Sequence, residues 1–424
     1  MAWACSAGES QGSDGGVTDA GRVWTPPVVH EDLPYVQEVA EQFHELGACA
    51  ALAEDLADGE RVLAACDNGV WVFDGEEVSL LDVGLEGVVL DLAFDGAGRL
   101  AAVDGAAMSI DGQAVDLPID SHPVFVGPRA SGGFYVCGDD VAGSVDATGT
   151  FSSLYEILGR HCRGLGELGA GEWYAATPDG VFDHESYLYT TNENLPSDDV
   201  RALTVTAEGV LWAATDVGLA SLDVARRAWA PFVGEQGLHY GDLLNLGLDA
   251  DDTLLASSAL GASRYHADGR RRYYSGGVWL PHDEVRDMLR ADDGAYWFAT
   301  AGGLSRVRPV SMSLEEKAAL FDAVTAQRHV RMGYTSTENA LSVVGDVDSF
   351  YNHDDDNDGQ WTGMYLASQS YRYAVTGTDE AKAAADPAPA GVAPLRRGPA
   401  GGENAGMRCK MRLLPPLIEA VELQ

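Results

Sequence analysis

The chain has 424 residues, with 27 Lys and Arg against 66 Asp and Glu, a formal net charge of −39. Hydrophobic residues at 46% and aromatics at 8% allow a sizeable core and exclude wholesale disorder. The acidic field excludes a general binder of nucleic-acid phosphates and a protein that docks on anionic lipid heads.

From the start of the chain, MAWACSAGESQGSDGG places a small residue before Cys5 and a Ser/Gly/Asp-rich run after it. This resembles the mature start of a bacterial lipoprotein, which implies a flexible tether over residues 1–22, lipid-anchored at Cys5. No run approaches the ~20 apolar residues of a membrane-spanning helix, so no transmembrane segment is expected. The location read from this is periplasmic or extracellular, with the cytoplasm left open. The six cysteines (Cys5, Cys49, Cys66, Cys137, Cys162 and Cys409) have no CxxC or Cys/His metal spacing. They read as small buried hydrophobes, or, in an oxidising compartment, as Cys49–Cys66 or Cys137–Cys162 disulfides.

A repeat then dominates the sequence. A β-branched or aromatic run, a Thr/Asp/Ser turn, a Gly and a second apolar run recur as LAACDNGVWVFDG, LAAVDGAAMSIDG, FYVCGDDVAGSVDATG, WYAATPDGVFD, LWAATDVGLASLD, LLASSALGASRYHADG and YWFATAGGLSRV. Their glycines are Gly69, Gly105, Gly143, Gly180, Gly218, Gly261 and Gly303, spaced by roughly 40 residues, the period of a propeller blade. Each unit holds several short strand-type runs between Gly/Asp/Asn turns, as in VRALTVT, GVLWAAT, GLASLDV and RAWAPF of the fifth. None carries the 3.6-residue periodicity of a helical solenoid. The fold expected is all-β: a seven-bladed β-propeller over residues 23–310, with Val23–Val39 offering a closing strand, followed by a short C-terminal α-helical segment.

Two units are similar to the two-component regulator propeller repeat: NENLPSDDVRALTVTAEGVLWAATDVGLASLD (Asn192–Asp223) and WLPHDEVRDMLRADDGAYWFATAGGLSRV (Trp279–Val307). Both carry a Leu-Pro turn, V-x-x-L, a Gly turn, an aromatic pair or Leu-Trp ahead of x-x-T, then Gly-Leu. The resemblance implies an extracytoplasmic ligand-binding sensor, with ligands such as glycans. The repeated residues also have structural work. Pro196 and Pro281 pre-set φ where the chain re-enters the ring, Trp212 and Trp297 fill the space between blades, and Gly218 and Gly303 supply turn positions with φ > 0.

In such a ring the interblade loops (Asn192–Asp199, Gly237–Asp242, Trp279–Asp283) and the turns between second and third strands (Thr177–Gly180, Thr215–Gly218, Ala301–Gly303) converge on one rim. Loops on a rigid scaffold are where binding residues concentrate. The candidates for a ligand-binding lining are Asn192, Glu193, Asn194, Asp198, Asp199, Asp216, Tyr240, His282 and Asp283. Turn residues of these types also form local Asx hydrogen bonds, which is the structural alternative for each of them.

Beyond Ser311 the periodicity becomes helical. Ser313 and Glu316 make a capping box, predicting a helix over Leu314–Met332, then a loop, a helix over Gly359–Val375 stopped by Gly377, and another from about Asp379. Asp354, Asp356, Asp358 and Gly359 fit the first positions of a calcium loop, but Tyr365 stands where the bidentate Glu belongs. Calcium at Asp354, Asp356 and Asp358 is therefore a weak metal reading, and no other cofactor is implied. The same DNDG-x-WT-x-x-Y-L-A…RYAVTG segment resembles the first helical hairpin of an α/α-toroid, a domain common in carbohydrate-active hydrolases and lyases. Residues 311–385 thus read as a partial toroid-like helical segment. Residues 386–424 turn Pro/Ala/Gly-rich, with Arg396, Arg397, Arg408, Lys410 and Arg412; they read as a disordered basic tail, or as a reading-frame change that replaces the rest of a toroid.

No HExxH, GxSxG or GxxxxGK[ST] occurs. The expected function is a non-catalytic extracytoplasmic sensor recognising a small molecule or glycan on its loop face, with a protein partner as a further prospect and no nucleic acid. The alternative is a truncated accessory part of a carbohydrate-active toroid hydrolase or lyase.

Overall fold

The structure is a computed structural model that describes residues 31–386, apart from 56–60, 155–156, 158, 170, 250, 332–333, 337, 344–345 and 354–357. Its residues group into one compact unit over Gln37–Val310 and a second that joins 31–36 to 311–386.

The second strands of several repeats, Trp173–Thr177, Leu254–Ser258 and Tyr296–Thr300, are largely apolar in sequence and buried along their whole length. A strand covered on both faces reads as a continuous hydrophobic run rather than an alternating one. The sheet around it must therefore be sandwiched between two others. Six blades are four-stranded antiparallel meanders in chain order, and their innermost strands are Cys49–Glu54, Asp91–Phe94, Pro123–Pro128, Gly164–Glu167, Val200–Val205 and Leu243–Leu248. The seventh has three consecutive strands, Val285–Arg290, Tyr296–Thr300 and Gly303–Ser313, completed by Pro34–Phe43 on its outer edge. The ring is a seven-bladed β-propeller.

The buried apolar side chains of the described residues form seven clusters, one between each pair of neighbouring blades. Closing the ring leaves no blade with an uncovered face. At the junction of blades 7 and 1, Trp297 lies 4.8 Å from the Phe73 ring and 6.5 Å from that of Phe43, centroid to centroid. Trp212 packs half-buried into the cluster between blades 5 and 6.

The closing strand differs from the Val23–Val39 expected. Of that segment only Glu31–Val39 lies within the described residues; the strand begins at Pro34 and continues to Phe43. Its position follows from its charges. Glu38 meets Arg264 at 3.1 Å and Arg272 at 2.6 Å, while Glu41 meets the Arg306 guanidinium at 2.6 Å.

The repeated Thr-x-x-Gly turn has a shared hydrogen bond. The hydroxyls of Thr177, Thr215, Ser258 and Thr300 donate to the carbonyls of Gly180, Gly218, Gly261 and Gly303 at 2.7–2.8 Å. Gly303 has φ +141°, as expected, and a Cβ there would meet the Phe43 carbonyl at 2.5 Å. Gly218 does not adopt positive φ; its constraint is close approach, since a Cβ would lie 2.7 Å from Val233.

Both cysteine pairs are disulfide-bonded. Cys49–Cys66 joins the first two strands of blade 1, and Cys137–Cys162 ties blade 3 to the connector entering blade 4. Cys5 and Cys409 lie outside the described residues.

In the second unit, α1 spans Leu314–Arg328, α2 Asp358–Thr376 and α3 Asp379–Ala385. The capping box is present: the Ser313 hydroxyl accepts from the Glu316 N–H at 3.1 Å, and the Glu316 carboxylate from the Ser313 N–H at 2.7 Å. Helix α1 stops before the Met332 expected. The chain extends from the β-branched Val330 into a short ladder, Val330–Arg331 with Tyr334–Thr335. A second ladder pairs Glu338–Leu341 with Phe350–His353, where a plain loop was expected. Gly377 at φ +64° ends α2, and Asp322 on α1 receives a hydrogen bond from Gln369 and an ion pair from Arg372 on α2.

Candidate functional site at the channel mouth

The interblade connectors deliver the chain to the start of each innermost strand, so connectors and second-to-third-strand turns share one face of the ring. In blades 5, 6 and 7 the pairing register slips by one residue there, at Arg201, Leu244 and Arg286. A bulge of this kind re-aims a side chain.

Four charged side chains form a continuous arc across blades 4 to 6. The Arg163 guanidinium donates to the Asp199 carboxylate and to the Val200 carbonyl. Arg201 approaches Asp199 at 3.4 Å, reaches across to Asp242 at 2.6 Å and donates to the Leu243 carbonyl at 3.1 Å. Arg286 and Glu284 pair at 3.0 Å in blade 7. All are half-buried or partly exposed, so each retains faces toward solvent. On blade 3 and the connectors around it, His122 lies 3.1 Å from Asp140 and His161 3.0 Å from Asp139. This end of the ring thus alternates hydrogen-bond donors and acceptors, as a polar solute with many hydroxyls or charges requires.

Of the sequence candidates, Asp199 belongs to this arc. Five of the others, Glu193, Asn194, Asp198, His282 and Asp283, make hydrogen bonds within the protein. Glu193 accepts from the Thr190 N–H at 2.8 Å, and that bond holds its carboxyl below the usual range. Asn194 adopts φ +73° and donates to the Trp229 carbonyl at 2.9 Å. Asp198 accepts from the Thr191 N–H, and Asp283 from the Gly276 N–H at 2.5 Å. His282 accepts from the Glu284 N–H at 2.9 Å through Nδ1. Asn192 is exposed, and Tyr240 is half-buried. Asp216 is half-buried, with one carboxylate oxygen enclosed and lacking a hydrogen-bond partner among the described residues. Asp198 and Asp283 thus follow the structural alternative of bonding their own connectors.

Sequence reasoning passed over Arg163, Arg201, Asp242 and Arg286. Their signal was available: each stands within two residues of an innermost-strand start, where Asp-Val-Arg and Glu-Val-Arg repeat in blades 5 and 7.

Deeper in the ring, Asp91, Asn245 and Asp287 occupy the same register position of blades 2, 6 and 7. Asp91 accepts from the Val126 N–H of blade 3 at 2.9 Å, and Asp287 from the Leu52 N–H of blade 1 at 2.8 Å. Asn245 donates to Asp287 at 2.9 Å. Desolvation among the inner strands pushes the Asp91 carboxyl up to about 8, with the charge of Asp287 adding to it, and Asp287 up to about 7.

Among the described residues no three His, Cys, Asp or Glu side chains gather as a metal site. Asp354 and Asp356 lie outside the described residues; Asp358 is the first residue of α2, its carbonyl accepting from the Thr362 hydroxyl at 2.7 Å.

No family model and no curated protein matches the chain. Solved structures share its fold. The extracellular domain of the hybrid two-component system BT3049 of B. thetaiotaomicron aligns with TM-score 0.53 and 14% identity over 72% of this chain, which spans 43% of that domain's length. A streptogramin B lyase aligns at 0.50 and 13% identity, covering 65% of this chain and 98% of its own. A catalytically inactive virginiamycin B lyase of Staphylococcus aureus, crystallised with quinupristin, aligns at 0.52 and 12% over 66% of this chain and 100% of its own. At such identities the likeness is one of fold.

Proposed function

We propose that this chain is a non-catalytic, extracytoplasmic binding propeller of a sensory system, which takes up a small polar molecule or glycan on its connector face. The observation that carries the reading is the half-exposed arc Arg163–Asp199–Arg201–Asp242 at the starts of the innermost strands. It offers fixed guanidinium and carboxylate groups without spending them on burial. The two disulfides fit an oxidising compartment, and Cys5 would serve as the lipid anchor. The sensor likeness in the repeats and among the solved structures supports the same assignment. The solved neighbours do not favour the accessory part of a toroid enzyme.

The test is a thermal-shift and calorimetric screen of the full chain against neutral, amino- and acidic oligosaccharides. A hit that weakens about tenfold in Arg201→Ala, a loss of ~1.4 kcal/mol, supports the proposal. Binding unaffected by Arg163→Ala and Arg201→Ala, or no binding across the panel, overturns it.

A further inference from the structure

The segment that delivers Arg163 to the arc is built unlike those that deliver its counterparts on other blades. Arg201 and Arg286 each follow a buried valine, Val200 and Val285, and Leu244 follows the buried Leu243. Each of these anchors also pairs with its own blade's second strand: Val200 with Thr215, Leu243 with Ser258 and Val285 with Thr300. Packing and a backbone ladder thus fix the residue that follows. In blade 4 the anchor is Cys162, preceded by the buried Ile157 as the other anchors are by Leu195, Leu238 and Leu280. The ladder of blade 4, however, begins only with Gly164 opposite Ala176. Among the described residues Cys162 therefore has no ladder partner.

Its ties run to blade 3 instead. The disulfide joins it to Cys137 on the second strand of that blade, and its N–H donates to the Gly138 carbonyl at 3.2 Å. One residue earlier, His161 has φ +52°, and its Nδ1 lies 3.0 Å from the Asp139 carboxylate. One residue later, the Arg163 N–H donates to the Ala176 carbonyl at 2.9 Å, and the guanidinium reaches Asp199 and, at 3.4 Å, the Val200 carbonyl. The His161–Asp139 pair is exposed on both sides, so it contributes little. A free thiol at Cys162 would be a smaller hydrophobe than the Val or Leu of the other anchors. The covalent link is what holds this segment. In blade 1, by contrast, Cys49 and Cys66 are already ladder partners, and their disulfide duplicates a pairing.

We propose that the Cys137–Cys162 disulfide positions Arg163, so that the Arg163–Asp199 half of the arc assembles only in the oxidised chain. This concerns the regulation of the binding face and rests on the function read there. The link forms by thiol–disulfide exchange with a small disulfide oxidant, glutathione disulfide. The two thiols give up two electrons and two protons, their sulfurs bond, the oxidant's sulfur–sulfur bond breaks, and two reduced glutathiones leave. Both cysteines are buried, which shields the finished bond from reductants. Control therefore acts once, at assembly: a chain folded under reducing conditions has the propeller without its first guanidinium in place.

The experiment follows backbone hydrogen exchange by mass spectrometry in the full chain, together with phenylglyoxal modification of Arg163 and Arg201. In Cys137→Ala/Cys162→Ala, exchange around Arg163 is expected to be at least about tenfold faster, and the Arg163 guanidinium more reactive, while Arg201, anchored by Val200, keeps its rate. Cys49→Ala/Cys66→Ala should leave both readouts at Arg163 unchanged. Unaltered exchange in Leu254–Ser258 shows that the ring is intact. Reducing the remaining bond in folded Cys49→Ala/Cys66→Ala protein gives the same comparison without a substitution at Cys137 or Cys162. Unchanged exchange and reactivity at Arg163 after loss of the bond, or equal changes in the two disulfide variants, would overturn the proposal. Neither readout needs a ligand, so an empty ligand screen would refute the binding function and leave this result standing.

Discussion

Replacing Arg306 by Met tests how the ring is shut. Arg306 stands in the third strand of blade 7, its side chain only 7% exposed. Its guanidinium donates to the Glu41 carboxylate of the closing strand at 2.6 and 3.0 Å and to the Gly75 carbonyl of blade 1 at 3.0 Å, and it lies 5.4 Å from the Trp297 ring. Glu41 is 40% exposed, so screening holds that pair to about 1 kcal/mol. The Gly75 bond adds about 1 kcal/mol, and the ring contact about 0.5–1 kcal/mol. Methionine keeps much of the apolar stem, so the expected loss is about 2–3 kcal/mol. For a unit of this size that lowers the melting temperature by about 3–5 °C. Urea unfolding of Arg306→Met, Glu41→Gln and the double variant reads the coupling between the two, expected near 1 kcal/mol. A loss under about 0.5 kcal/mol in Arg306→Met, or strict additivity with Glu41→Gln, would refute the view that this pair clasps the closing strand.

Reduction should weaken the ring as well. The disulfides span 17 and 25 residues, and loops of that order stabilise by about 3 kcal/mol each in the chain-entropy account. A Cys49→Ala/Cys66→Ala variant, or the reduced protein, should therefore melt several degrees lower in calorimetry, and an unchanged melt contradicts this. The inner-strand carboxyls of Asp91 and Asp287 set a pH trend. Their folded pKa values, about 8 for Asp91 and about 7 for Asp287, exceed the unfolded value near 4. Unfolding then favours the ionised form, so their contribution to stability is fullest at low pH and falls as pH rises from about 4 to about 8. Urea midpoints should decline from pH 5.5 to 8.5, less steeply in Asp91→Asn; a decline of the same size in that variant contradicts the assignment.

The repeat was legible because the turns of blades 4 to 7 need the same two residues: a hydroxyl to hold the turn carbonyl and a glycine three positions along. Thr300 with Gly303 shows both requirements at once. The capping box at Ser313 was legible for a similar reason, since Ser and Glu act within four residues of each other. The closing strand was harder to bound. Its partners, Arg264, Arg272 and Arg306, lie far along the sequence, and no local pattern announces them. Asp91 and Asp287 were hidden for the same reason: one acidic residue in a strand says nothing until the neighbouring blade presents a backbone N–H. The rim candidates are of the residue types that turns also use for hydrogen bonds within the protein. Asp198 and Asp283 accept from N–H groups seven residues earlier in the chain, whereas Asn194 reaches the Trp229 carbonyl of blade 5 and Arg201 reaches Asp242 ahead of blade 6. The short ladders after α1 carry too few residues for any periodicity to show.

Because one edge of the last blade comes from the front of the polypeptide, the circle cannot be completed until Gly303–Ser313 has been synthesised. Pro34–Phe43 must remain available until then, as a free β-edge that invites a wrong neighbour. Cells making this protein would therefore gain from a holding chaperone on the early segment, and a stalled nascent chain would present proteases with an open-flanked spiral.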